Sequence, residues 1–279
     1  MQVEAHKLNE IHCHRYPSDN ASYALVISHG LGGHGGIYDR FCLHHVQKGV
    51  DLWSYDAPGH GRSTTNRPRG TWTMEEWAQT SRDWATHVHE LTGLPVFALG
   101  SSLGVAPAIS AIDSPAVTGA ILMGSAAVPG HPLLADRSAA WRSDDVIAVL
   151  EQVGRGARLD IPTFFDFDAD YGYTGATEQK KLDPYNTWSY DLASWATFFQ
   201  YDPPQPVAEN TKPVLYAVGD KDPNVTPEVV QMIADGIGGD VRVEIFADGA
   251  HQLMLFETEK FSTLVHEFCT GVLGDAASA

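Results

Sequence analysis

The sequence predicts an α/β protein: a mostly parallel sheet with helices on both faces, interrupted once by an inserted segment. Apolar runs of strand length alternate with stretches of helical spacing from residue 23 to 123, and again from 213 to 273. Glycine-containing turns follow several of these runs directly. Between about residues 127 and 206 the alternation stops, and the chain becomes rich in aromatic residues and prolines. With 279 residues and 43% apolar content, the chain is long enough to bury a full core. The expected organisation is a core of residues 1–126 and 207–279 with an inserted lid at 127–206.

In order, residues 3–6 and 11–16 are expected to form opening antiparallel strands. The run YALVIS (23–28) is a buried strand, 36–48 a helix and DLWSY (51–55) the next strand. Residues 74–91 have helical spacing; strand 96–100, helix 102–112 and strand 117–123 complete the first block. Helical stretches are expected near 143–153 and 190–199 in the insertion. Strand 213–218, helix 227–236, strand 241–246 and a final helix at 258–273 then close the sheet.

The stretch VFALGSSLG (96–104) carries the first chemical signal. Gly100, Ser102 and Gly104 fit G-x-S-x-G, in which a serine sits on a strained strand-to-helix turn with its hydroxyl held above the sheet. An elbow centred on Ser101 would place Leu99 and Leu103 where side chains must be absent, so Ser102 is the candidate nucleophile. The pattern also arises by chance in Gly-rich turns, and what decides is whether partners occur elsewhere. In parallel sheets ligands bind beyond the carboxyl ends of the strands. After strand 23–28 comes His29-Gly30-Leu31-Gly32-Gly33, a loop able to turn amides toward the elbow. It lacks both the Gly-Lys-Ser/Thr ending and the G-x-G-x-x-G spacing of phosphate loops. The amides of Leu31 and Leu103 are the expected oxyanion donors. After strand 213–218 comes Gly219-Asp220-Lys221-Asp222, and after strand 241–246 comes Asp248-Gly249-Ala250-His251. Serine, then an aspartate, then His251 is the order in which a nucleophile, an orienting carboxylate and a base occur in one known class of such sheets. Asp222 and Asp220 both remain open as the carboxylate on this reading.

These stretches, together with Asp56 through Ser63 and Gly93 through Phe97, resemble the α/β-hydrolases, and most closely the branch of monoacylglycerol lipases and lysophospholipase-like esterases. The resemblance covers nearly all the chain outside the insertion. It implies Ser102 as nucleophile, His251 as base and Asp222, selected by its spacing from Gly219, as orienter, with 56–63 a structural turn in which His60 is not catalytic. Ser101 and Val105 stand where that branch usually has histidine and glycine, positions that shape the pocket floor and the helix packing.

The formal charge of −17 argues against nucleic acid and anionic membrane surfaces as partners. No run of eighteen apolar residues occurs, and the first residues lack the basic-then-apolar layout of a signal peptide, so stable membrane insertion is not expected and a cytoplasmic location is. The three cysteines, Cys13, Cys42 and Cys269, suit neither a disulfide framework nor a zinc site, and are expected to be buried. In the insertion, Trp188, Trp195, Phe198 and Phe199 are candidates for contact with a hydrophobic acyl or aryl group, and equally for packing the insertion on the body. Asp166, Asp168 and Asp170 are spaced like the opening of a calcium loop, but Gly172 falls one place late, so a solvated acidic loop is expected.

A serine at the elbow points to acyl transfer, where an aspartate would form alkyl esters. The expectation is hydrolysis of a small-molecule carboxylic ester through an acyl-enzyme, without metal or organic cofactor. The same residues could serve a lactone, a thioester, an activated carbon–carbon bond or cofactor-free perhydrolysis, or persist in a ligand-binding protein. Oligomeric state is left open.

Overall fold

The computed structural model describes residues 2–154 and 156–276. Eight strands form the main sheet: β1 (Glu4–Leu8), β2 (Ile11–Tyr16), β3 (Tyr23–Ser28), β4 (Val50–Tyr55), β5 (Val96–Ser101), β6 (Val117–Met123), β9 (Val214–Gly219) and β10 (Val241–Phe246), in the order β1-β2-β4-β3-β5-β6-β9-β10. β1 and β2 pair antiparallel, as do β2 and β4, and the rest of the sheet is parallel. The strands β3, β4, β5 and β9 are buried at every position, whereas the edge strand β1 alternates half-buried and exposed residues. Continuous apolar runs are what a strand covered on both faces requires.

Two cores follow from the two faces. On one, helix Met74–Thr92 turns Trp77, Trp84 and Val88 onto the sheet beside Val105 and Ile109 of helix Val105–Ser110, and helix Pro227–Ala234 adds Val230 and Ile233. On the other, Phe41 and Cys42 of helix Asp39–His45 pack with Phe261, Val265 and Cys269 of the closing helix Thr258–Ala276. Thr73 Oγ1 caps helix Met74–Thr92 by accepting from the Glu76 N–H, and Gly93 ends it in the left-handed region at φ 68°. All three cysteines are buried and unbridged.

Three expected helices are subdivided, the one near 143–153 into helix Asp144–Val149 and a π-helical turn at Leu150–Gly154. The expected helix at 36–48 is helix Asp39–His45 between 3₁₀ turns at Gly35–Tyr38 and Val46–Lys48. After the elbow, a 3₁₀ turn at Ser102–Gly104 precedes the α-helix, because the chain must leave β5 within one residue and press its first turn against β3. A Cβ at Gly100 would lie 2.3 Å from Gly104 O, and one at Gly104 2.3 Å from Ser28 O. Both contacts are with backbone that cannot yield. Gly104→Ala should therefore destabilise the fold by about 2–3 kcal/mol, seen as a lower midpoint in urea unfolding; an unchanged midpoint would refute this account of the elbow.

The turn after β4 is braced by Asp56, whose Oδ1 accepts from Gly35 N at 2.7 Å and Oδ2 from Arg62 N at 2.7 Å. His12 and His14 gather round the same carboxylate, and Arg62 Nη1 stands 3.2 Å from His14 Nε2, so a cation of the protein already occupies this corner.

Between β6 and β9 the chain leaves the sheet for a long excursion. It contains helices Ala135–Trp141, Asp144–Val149, Phe167–Tyr171, Ala176–Lys181 and Leu192–Gln200, and a short antiparallel ribbon of β7 (Arg158–Asp160) and β8 (Ser189–Asp191). The helix expected from residue 190 thus begins two residues later, the preceding residues being held in the ribbon. Tyr190 anchors the excursion to the body: its hydroxyl accepts from Gly32 N at 2.8 Å and lies 2.9 Å from His60 Nε2. Thr187 N donates to Gly32 O at 2.8 Å. No helix among the described residues is long and apolar enough to cross a membrane.

Candidate active site

The carboxyl ends of β3, β5, β6, β9 and β10 bring the chemistry-bearing residues to one edge of the sheet. Ser102 leaves β5 with φ 54°, in the left-handed region that an L-residue enters only under constraint. Gly30 makes room for it, since a Cβ there would come within 3.0 Å of Ser102 Cβ. Ser101, by contrast, is wholly buried at the end of the strand.

Asp222 sits in the loop after β9. Its Oδ1 accepts from the amides of Asn224 at 2.8 Å and Val225 at 3.2 Å, and its Oδ2 accepts from His251 Nδ1 at 2.7 Å. His251, in the loop after β10, is 1% exposed. Gly124, just past β6, closes over the pair at φ 59°; a Cβ there would lie 3.1 Å from both Asp222 Oδ2 and His251 Nδ1. Asp220 is exposed. Burial works against the imidazolium of His251, but the hydrogen bond to Asp222 and the charges of Asp170 and Asp222 outweigh it, so the pKa is raised.

In the glycine-rich loop the amides of Gly30, Gly32 and Gly33 are taken by Tyr38 Oη, Tyr190 Oη and Gly30 O. This leaves the Leu31 amide as the donor that no neighbour engages among the described residues. His29 holds the loop from behind, with Nδ1 donating to Gly30 O at 2.9 Å and Nε2 accepting from Ala57 N at 3.0 Å. Burial pushes its pKa down to about 3, so this ring stays neutral.

A cavity of about 280 Å³ opens on Ser102, and Leu31, Leu103 and His251 line it together with Trp195, Phe198 and Phe199 from the excursion. Trp188 is not in its lining; the ring packs edge-on against Phe167 at 5.6 Å instead. Ala127, Leu134, Arg137, Phe164 and Phe165 complete the excursion's side of the wall. Trp141 stacks on Phe199 and Trp195 lies over Tyr190, so some of these rings pack the excursion while also facing the cavity.

The acidic stretch 166–170 departs from the expectation of a solvated loop. Asp166 caps helix Phe167–Tyr171, and Asp168 accepts from Gly175 N and Thr177 N. Asp170 is 2% exposed, with Oδ1 3.4 Å from His251 Nε2. The reason is helical spacing: a one-and-a-half-turn helix puts Asp166 and Asp168 toward solvent while carrying Asp170 inward. Nothing in the spacing of acidic residues signalled that. Gly124 and the amides of Asn224 and Val225 also escaped sequence reasoning, and of these only Gly124, a glycine directly after a strand, left a trace.

A parallel sheet with two antiparallel strands at one edge, and a serine at an αL elbow that lines one cavity with a histidine–carboxylate pair, defines an α/β-hydrolase. Residues 19–259 match the family described as Serine aminopeptidase, S33, and the chain belongs to it. It is similar to a monoglyceride lipase homolog of Monkeypox virus, 34% identical over 136 residues, covering 45% of this chain and 48% of that protein. Similarity to the monoglyceride lipase of Mus musculus is 33% over 99 residues, 33% of this chain and 31% of the relative. The matches thus span about half or less of those relatives. Among solved structures, a thermostable carboxyl esterase from Bacillus coagulans superposes with TM-score 0.76 at 17% identity, covering 97% of this chain and 98% of that one. A monoacylglycerol lipase from Paleococcus ferrophilus gives 0.70 at 19%, covering 98% and 100%. These structural likenesses carry the fold.

Proposed function

We propose that this chain hydrolyses carboxylic esters through an acyl-enzyme on Ser102, with His251 as general base, Asp222 as its orienter, and the amides of Leu31 and Leu103 as oxyanion donors. The observation that carries the reading is the meeting, in one cavity, of a serine at φ 54° with a buried histidine whose Nδ1 is 2.7 Å from a carboxylate. Because Asp222 accepts at Nδ1, the neutral ring keeps its proton there and presents Nε2 as an acceptor. His251 Nε2 takes the Ser102 proton as Oγ attacks the ester carbonyl. The oxygen gains charge facing the two amides. His251 then returns the proton to the leaving alcohol, and a water activated by the same nitrogen cleaves the acyl-enzyme. The similarity to monoglyceride lipases supports an ester as the substrate class, and the apolar rings around the cavity support a hydrophobic acyl group. The excursion at 127–206, which supplies those rings, acts as the lid.

The test is initial-rate hydrolysis of nitrophenyl esters from acetate to palmitate, with aminoacyl nitroanilides alongside. A cavity of about 280 Å³ is at the small end of ligand pockets, so short to medium acyl chains should be favoured over palmitate. Phe199→Ala, by removing a ring from the wall, should move the optimum toward longer chains, read as a change in the ratio of kcat/KM between octanoate and acetate. Turnover of anilides with none of any ester would overturn the reading.

A further inference from the structure

The mechanism leaves one buried ionisable group beside the site without a part, the Asp170 carboxylate. We propose that Asp170 is a positioning residue for His251: carried in by helix Phe167–Tyr171, it faces Nε2 while Asp222 holds Nδ1, so the imidazole lies between two carboxylates and its strength as a base depends on the seating of the lid. This rests on the reading of His251 as general base.

The geometry supports it on three counts. Oδ1 of Asp170 is 3.4 Å from His251 Nε2, both side chains are almost completely buried, and Nε2 has no hydrogen-bond partner among the described residues. Two charges at that separation, away from water, interact far more strongly than an exposed pair. Two amide donors hold the carboxylate of Asp170 against the burial that raises its pKa: Asn224 Nδ2 donates to Oδ1 at 2.7 Å and Gln252 Nε2 to Oδ2 at 3.0 Å, so both oxygens are already acceptors. Finally, Asn224 and Gln252 are neighbours in sequence of Asp222 and His251. The lid helix is therefore bolted to the two loops that carry the histidine pair, and it cannot lift without withdrawing the carboxylate.

The charged and titratable groups facing this centre are few. Asp170 and Asp222 act on His251. On Asp170 act His251 and Asp222, with Tyr38 from the body and Tyr171 and Lys180 from the lid close enough to feel its charge. Burial, against the pull of Asp170 and Asp183, lowers the Lys180 pKa to about 8. Burial raises the pKa of Asp170 itself, with the charge on His251 and the two amide donors opposing. Both carboxylates favour the imidazolium, so a seated lid withholds the neutral base until the pH rises. Substrate entry, by moving the lid, weakens that hold and frees Nε2 to accept from Ser102.

The experiment has two arms. In the first, the imidazole of His251 is titrated by NMR in the Ser102→Ala protein, with and without Asp170→Asn and Asp170→Ala, an arm that needs no substrate and stands even if no ester is turned over. The midpoint should lie above that of an ordinary imidazole with Asp170 present, and fall by about one pH unit or more in the variants. A midpoint at or below the ordinary value in the Asp170 protein overturns the proposal whether or not either variant folds. In the second arm, the pH profile of kcat/KM is recorded for the wild type and both variants. The acidic limb should move down by the same interval, making roughly fivefold more of the base neutral one pH unit below the wild-type midpoint. A change in KM with the limb unmoved would mean that Asp170 contacts substrate or merely braces the lid, and would also overturn it. Absence of ester turnover in the second arm, with the expected titration in the first, would defeat the ester reading and leave the two-carboxylate hold on His251 standing.

Discussion

Replacing Ser102 by alanine should lower kcat for a nitrophenyl ester by about 10⁴-fold or more, with the melting temperature nearly unchanged. The size follows from what is lost. Without Oγ no acyl-enzyme can form, and only the oxyanion amides and the binding cavity remain to act on a water. Stability should hold because the positive φ at position 102 is imposed by Gly100, which lets the backbone of Gly104 fold against it, and by Gly104, which lets the turn pass within contact distance of Ser28, and not by the hydroxyl. The comparison of stopped or steady-state rates with a thermal melt separates the two effects. Residual activity within tenfold of wild type would place the nucleophile elsewhere, and failure of a serine-directed phosphonate to label the wild type would do the same.

Asp222→Asn should cost about 10⁴-fold in kcat while Asp220→Asn stays within about twofold. Asp222 Oδ1 accepts two backbone amides, so an asparagine placed there will keep its carbonyl oxygen on those donors and turn its NH₂ toward His251 Nδ1. The ring must then accept at Nδ1 and carry its proton on Nε2, the tautomer that cannot take a proton from Ser102. Asp220 is exposed and makes no such contact. Steady-state rates of the two variants at a single pH, with circular dichroism to confirm folding, decide the matter; the reverse ranking would transfer the role to Asp220.

Both substitutions concern residues legible in the chain. The elbow, the glycine-rich loop and the two loops carrying Asp222 and His251 each follow a strand directly, and strands buried on both faces announce themselves as continuous apolar runs. Strand boundaries at 23–28 and 117–123 coincide with the observed ones for that reason, and the edge strand 241–246 does so because its apolar residues alternate with Arg242 and Glu244. The 3₁₀ turns that flank two of the helices were not visible, since they depend on where a neighbouring backbone stands and not on local spacing.

The excursion between β6 and β9 was the least legible part. Trp188 and Trp195 are alike in type and only seven residues apart, yet one packs on Phe167 and the other lines the cavity. An aromatic residue in a loop-rich segment is drawn to any apolar surface within reach, and composition alone cannot say which. Asp170 shows the same thing for charge. As one of three alternating aspartates it reads as solvated, and it is the helix from Phe167 to Tyr171 that swings it against His251.

The sequence by itself determined the layered sheet, the order of Ser102, Asp222 and His251 along the chain, and their places after three separate strands. These are local consequences of periodicity and of the space glycine leaves at tight turns. Only the tertiary structure decided which rings face the cavity, that Gly124 must lack a side chain, and that a carboxylate of the excursion stands opposite Asp222 across the imidazole. Each of those depends on the approach of segments far apart in the chain, where a fraction of an ångström separates a contact from a clash, and no pattern along one segment encodes the position of another.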